Sequence, residues 1–209
     1  GVHSHQDHLV AMAELAFIHE QRSEFKPARA LYEKLLKLNF SPQDVLLRLI
    51  SLSLRMNQPE KALKYMRQGP DTIPFKSTVA GLFIGSRHYL QGETLLKQIA
   101  AKDNAPDDVY LLLADLNYEQ RRDLPMALSW LDKIPSNSKA APRAAALRIE
   151  LLGEAGKEQE ALTVTRQAQK QFEDAPQFWE LEIRLLARQK QLTEALETAR
   201  KASQKWPDN

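Results

Sequence analysis

The sequence has no cysteine, which removes disulfides, thiolate metal sites and cysteine nucleophiles together and fits either the cytoplasm or a bacterial periplasm. Helix breakers are scarce, with 7 Gly and 11 Pro in 209 residues. No run approaches the 18 or so apolar residues of a membrane span, so direct insertion by this segment is not expected. The start, Gly1-Val2-His3-Ser4-His5, lacks the apolar stretch of a signal peptide. An excess of one charge is also missing. Lys plus Arg number 29 against 27 Asp plus Glu, a net +2, and the signs are interspersed along the chain. Nucleic acid and anionic membrane are therefore not the expected partners.

Ala, Leu, Glu, Gln, Lys and Arg dominate, which reads as helix nearly throughout. Hydrophobic residues at 43% can build a core and charged residues at 27% can solvate its outside. The chain repeats itself. Lys157-Glu158-Gln159-Glu160-Ala161-Leu162 returns 34 residues later as Gln191-Leu192-Thr193-Glu194-Ala195-Leu196. The small residue within it marks six units at Ala28, Ala62, Gly92, Ala127, Ala161 and Ala195, spaced 34, 30, 35, 34 and 34. Each unit reads as an A helix, a polar or glycine-bearing turn and a B helix. The A helices carry apolar residues at i, i+3 and i+4, as in Met12, Leu15 and Ala16 or Leu46, Leu49 and Ile50. The B helices do the same with Ala28, Tyr32 and Leu35, then Ala127, Leu131 and Ile134.

This period resembles the tetratricopeptide repeat family. Trp179, Ile183, Leu186, Ala195, Ala199, Ala202 and Pro207 give the fullest match, and the third unit, with Gly92 at the central Ala, the poorest. The resemblance implies an all-α, right-handed superhelical solenoid of about six helix-turn-helix repeats, about twelve antiparallel helices. The expected repeats are about 9–42, 43–72, 73–106, 107–141, 142–175 and 176–209, after a disordered leader at 1–8. Trp206-Pro207-Asp208-Asn209 reaches the end of the sixth repeat without a solvating helix, so the expectation is a piece of a longer protein. Pro70, Pro74 and Gly69 shorten the second spacing, and residues 68–75 are expected to interrupt stacking and act as a hinge between repeats 1–2 and 3–6.

No catalytic signature survives inspection, and no enzyme, cofactor or metal is expected. Gly153-Glu154-Ala155-Gly156-Lys157 has two residues between its glycines where a phosphate loop has four, and Glu158 follows where Ser or Thr is needed. It reads as a helix end and turn. His3, His5, Asp7 and His8 offer metal-binding side chains without a fixed geometry. His19 and His88 occupy a packing position and a turn.

Function should then sit on the A helices, which the resemblance places on the concave side. Carrying over the family's groove positions gives Phe17, Leu47, Leu54, Arg55, Ile84, Leu111, Asp115, Tyr118, Glu119, Glu150, Glu154, Arg184 and Arg188 as a partner-binding groove. The apolar ones suggest a stripe facing solvent in the first four repeats, and aligned exposed apolar residues suggest a partner site. The family's clamp for a chaperone's terminal carboxylate needs Asn and Lys where this chain has Phe17, Ser51, Gly81, Asp115, Glu150 and Arg184, so that activity is not expected. The reading is a non-catalytic scaffold binding a partner protein or peptide. Two alternatives stay open: a periplasmic segment of a bacterial envelope assembly or exopolysaccharide export protein that recruits a modifying enzyme, and an architectural spacer or self-association module.

Overall fold

The computed structural model describes residues 2–208; Gly1, the first residue of the expected leader, and Asn209, the last of the sixth repeat, lie outside them. Twelve α-helices make up the described residues. They form two compact units, Gly1–Ala105 and Pro106–Asn209. The first holds α1 (Val2–Gln21), α2 (Phe25–Lys37), α3 (Pro42–Arg55), α4 (Pro59–Arg67), α5 (Ile73–Gly85) and α6 (Tyr89–Ala100). The second holds α7 (Asp107–Arg121), α8 (Leu124–Leu131), α9 (Ala141–Glu154), α10 (Glu158–Gln171), α11 (Gln177–Arg188) and α12 (Leu192–Lys205). Each odd-numbered helix packs on the even-numbered one that follows it. α1 starts at Val2, so residues 2–8, expected as a disordered leader, continue the first A helix; extending a helix already nucleated costs little.

The turns inside the pairs show why the period is so regular. Ser23, Asn57, Arg87, Arg122, Gly156 and Lys190 all have positive φ, and each stands five residues ahead of its small marker. This left-handed residue stops the A helix and reverses the chain. In five turns the next amide reaches back across the helix end: Glu24 to His19, Gln58 to Ser53, His88 to Phe83, Lys157 to Leu152 and Gln191 to Leu186, at 2.7–2.9 Å. The fourth turn ends instead on the Arg122 amide donating to Tyr118, and Asp123 then caps α8 by accepting from the Met126 amide at 3.1 Å.

The markers are buried, so A and B helices cross closely over them. At Gly92 even a Cβ would stand 2.7 Å from Ile84 Cγ1, which is why the third repeat has glycine there. Fully buried Phe75, Phe83, Leu35, Leu49 and Ile50 anchor the first unit. In the second, Phe178 stacks on Phe172 at 5.5 Å in a core shared with Ile149 and Leu186. Each such side chain contributes about 1.5–3 kcal/mol by leaving water.

The helical run breaks at 68–72, between α4 and α5, while Ile73, Pro74 and Phe75 already belong to α5. The division into units falls elsewhere, at Ala105/Pro106. The reason is that the segment is pinned: the Phe75 ring lies on Gly69 where any side chain would collide, Thr72 caps α5, and Asp71 pairs with Lys76 and, at 3.8 Å, with Lys102.

Candidate partner-binding face

In the first unit the A helices are α1, α3 and α5. Phe17 stands out from α1, 41% exposed, and the Arg48 guanidinium of α3 lies 5.1 Å over its ring. The same guanidinium holds Glu20 at 3.2 Å. Burial pushes the Glu20 carboxyl above its ordinary value, and the charges of Arg48 and Arg55 pull it part of the way back. Arg55 is exposed and folds over Phe25 at 4.7 Å. Leu47 is half-buried. Leu54 is not on the surface at all, at 4% exposure, and Ile84 is spent covering Gly92.

In the second unit the A helices are α7, α9 and α11. Tyr118, expected to face solvent, is 5% exposed and belongs to the core, against which Leu111 also packs. Arg122 covers the Tyr118 ring at 5.0 Å and reaches Glu154 at 3.4 Å. The apolar stripe is thus corrected at Leu54 and Tyr118, which are taken up by packing, because large apolar side chains on closely set A helices gain more against each other than in water. Phe17 remains outside, and Leu47, Ile84 and Leu111 are half-buried.

The polar positions behave differently. Glu150 and Glu154 of α9 and Arg184 and Arg188 of α11 line one cleft of about 200 Å³, floored by Ile149, Leu181 and Leu185. No ion pair within 4 Å crosses it among the described residues. Arg188 instead sits beside Gly153, its Nη1 3.2 Å from where a Cβ would be. Asp115 and Glu119, on α7, belong to the same electrostatic neighbourhood. Partial desolvation, then the charges of Glu119 and Glu154, hold the Asp115 carboxyl above its ordinary value.

Sequence reasoning missed three contributors to this face: Arg48, Arg122 and Gly153. Arg122 was legible only as part of a polar turn, and nothing in the period shows that its side chain folds back over the A helix. His88 lies within 3.1 Å of Ser86 Oγ and 3.2 Å of Asn57 Oδ1, tying two turns of the first unit together. Among the described residues no group of three His, Cys, Asp or Glu could hold a metal ion, and no helix is long and apolar enough to cross a membrane.

The family model for the tetratricopeptide repeat matches residues 147–209. No curated sequence matches the chain closely enough to count as a relative. Among solved structures, PilW, a widely conserved type IV pilus biogenesis factor, is similar at 15% identity and a TM-score of 0.58, over 96% of this chain and 94% of that one. A tetratricopeptide repeat protein from Parabacteroides merdae is similar at 13% identity and 0.56, over 92% and 78%. PilF of Pseudomonas aeruginosa is similar at 16% and 0.51, over 98% and 94%. At such identities the likeness is one of fold.

Proposed function

Because the chain is built of tetratricopeptide repeats, a fold that serves generally as a non-catalytic scaffold for protein–protein interaction, we propose that it holds a partner protein or peptide on its A-helix face. The observation that supports this reading is the cleft between α9 and α11, where four charged side chains surround an apolar floor without neutralising one another. Phe17 and Leu47, beside Arg48 and Arg55, supply a second, more apolar contact area in the first unit.

The test is capture from native extract by the immobilised chain, using variants that keep helicity and melting. Phe17→Ala with Glu150→Ala alters the A-helix face; Leu90→Ala with Leu192→Ala alters exposed B-helix positions. The first pair alone should lower capture at least about tenfold, the loss of one good anchor. Loss with the second pair alone would place the partner on the B helices.

A role in bacterial envelope assembly is the second reading. What favours it is that one structural neighbour, PilW, is described as a type IV pilus biogenesis factor, and that 94% of it is covered by the match. It rests on fold analogy. Fractionation of the native host decides it: recovery from the cytoplasm would remove it.

A further inference from the structure

We infer that the A-helix face of the second unit is a two-signed cradle for a partner segment carrying cations at one end, a small apolar residue in the middle and carboxylates at the other. The inference rests on the scaffold reading and adds the partner's chemistry. Each of three successive A helices carries a like-charged pair at i, i+4: Asp115 and Glu119 on α7, Glu150 and Glu154 on α9, Arg184 and Arg188 on α11. Such pairs weaken the helix that bears them. The chain tolerates that weakening three times on one face and in a fixed order of sign, negative, negative, positive.

These charges are not settled internally. Elsewhere the second unit pairs its charges across helices, as in Arg148 with Asp132 and Arg166 with Glu182 at 3.1 Å. Among the described residues, Arg184 and Arg188 have no carboxylate within 4 Å, and the one ion pair of Glu154 is with Arg122, at the other side. Partial burial first, then the charges of Glu119 and Glu154, hold the Asp115 carboxyl above its ordinary value. An arriving cation meets Asp115, Glu119, Glu150 and Glu154, and an arriving carboxylate meets the two guanidiniums that line the cleft. The apolar floor of Ile149, Leu181 and Leu185 takes the residue between them. Neighbouring helices lie about 8–10 Å apart, so the cationic and anionic ends of an extended segment, at about 3.3 Å per residue, should be about six residues apart.

The experiment uses the whole chain and three labelled 12-residue peptides, read by fluorescence anisotropy at low salt. One peptide has a lysine third, an alanine–leucine third and a glutamate third; the others carry only lysine or only glutamate. The mixed peptide should bind at least about tenfold tighter than either, and more weakly as salt rises. Arg184→Glu with Arg188→Glu, at unchanged helicity and melting, should lose that preference and take the lysine peptide at least about tenfold tighter. Should that variant misfold, Arg184→Gln with Arg188→Gln should lose the preference alone. Equal binding of a single-sign peptide, or folded variants within twofold of the parent, overturns the inference. So does a dimer in sedimentation that the variants dissolve, which would make the occupant a second copy. Capture on the A-helix face with no peptide preference would leave the scaffold reading standing and remove this one.

Discussion

At matching repeat positions the two units spend their A-helix residues differently. In the first, Leu54 is buried, Ile84 closes over Gly92, and Arg48 is shared between Glu20 and the Phe17 ring. In the second, Glu150, Glu154, Arg184 and Arg188 stand around a cleft that none of them closes. The helix pairs are built alike in both, on a buried marker and a left-handed turn residue. The comparison teaches that the repeat fixes where side chains point, and that local chemistry then decides whether a position packs or stays open.

The largest expected effect tests whether the units stand on separate cores. Phe178→Ala removes a fully buried ring from the second unit and should cost about 3–5 kcal/mol. In an array stabilised by neighbour contacts, hydrogen exchange should speed up across α9–α12 and stay slow in α1–α4. Equal loss in both would erase the distinction between the units.

Next in size, Ala127→Leu should overpack the α7–α8 crossing and cost about 1–3 kcal/mol, while exposed Lys157→Leu should stay within about 0.5 kcal/mol. Equal melting shifts would mean that the marker register is wrong. The turn residues sharpen the same point on a smaller scale. Lys190 pays for a left-handed backbone that Gly156 adopts freely, so Lys190→Gly should stabilise by up to about 1 kcal/mol and Gly156→Ala should destabilise by about as much. Thermal denaturation of the two variants checks the pair.

The smallest effect concerns Asp115. Its folded-state carboxyl is raised above the ordinary 3.8, so its contribution is fully present below that value and is lost as pH rises through the folded-state value. Asp115→Asn should therefore be the more stable protein at pH 7, by less than about 1 kcal/mol in this screened setting, and the gap should close on acidification. A variant less stable at pH 7 would show that Asp115 is already compensated.

Much of the fold was legible because its signals are periodic: the spacing of Ala28, Ala62, Gly92, Ala127, Ala161 and Ala195 reports the helix pairs directly. The site was legible only in its charges. Glu150, Glu154, Arg184 and Arg188 line one cleft. Tyr118, expected to face solvent from its repeat position, is buried and roofed by Arg122. How deeply a given A-helix residue is covered depends on neighbours about 30 residues away, and the period does not record their size.

The claim that a partner lies on the A-helix face is tested most directly by photo-crosslinking in the native host. A crosslinkable residue would replace Phe17, Leu47 or Glu150 on that face, and Leu90, Met126 or Leu192 on exposed B-helix positions. The account predicts adducts from the first three positions and none from the second three; adducts from the B-helix positions alone, or from no position, would contradict it.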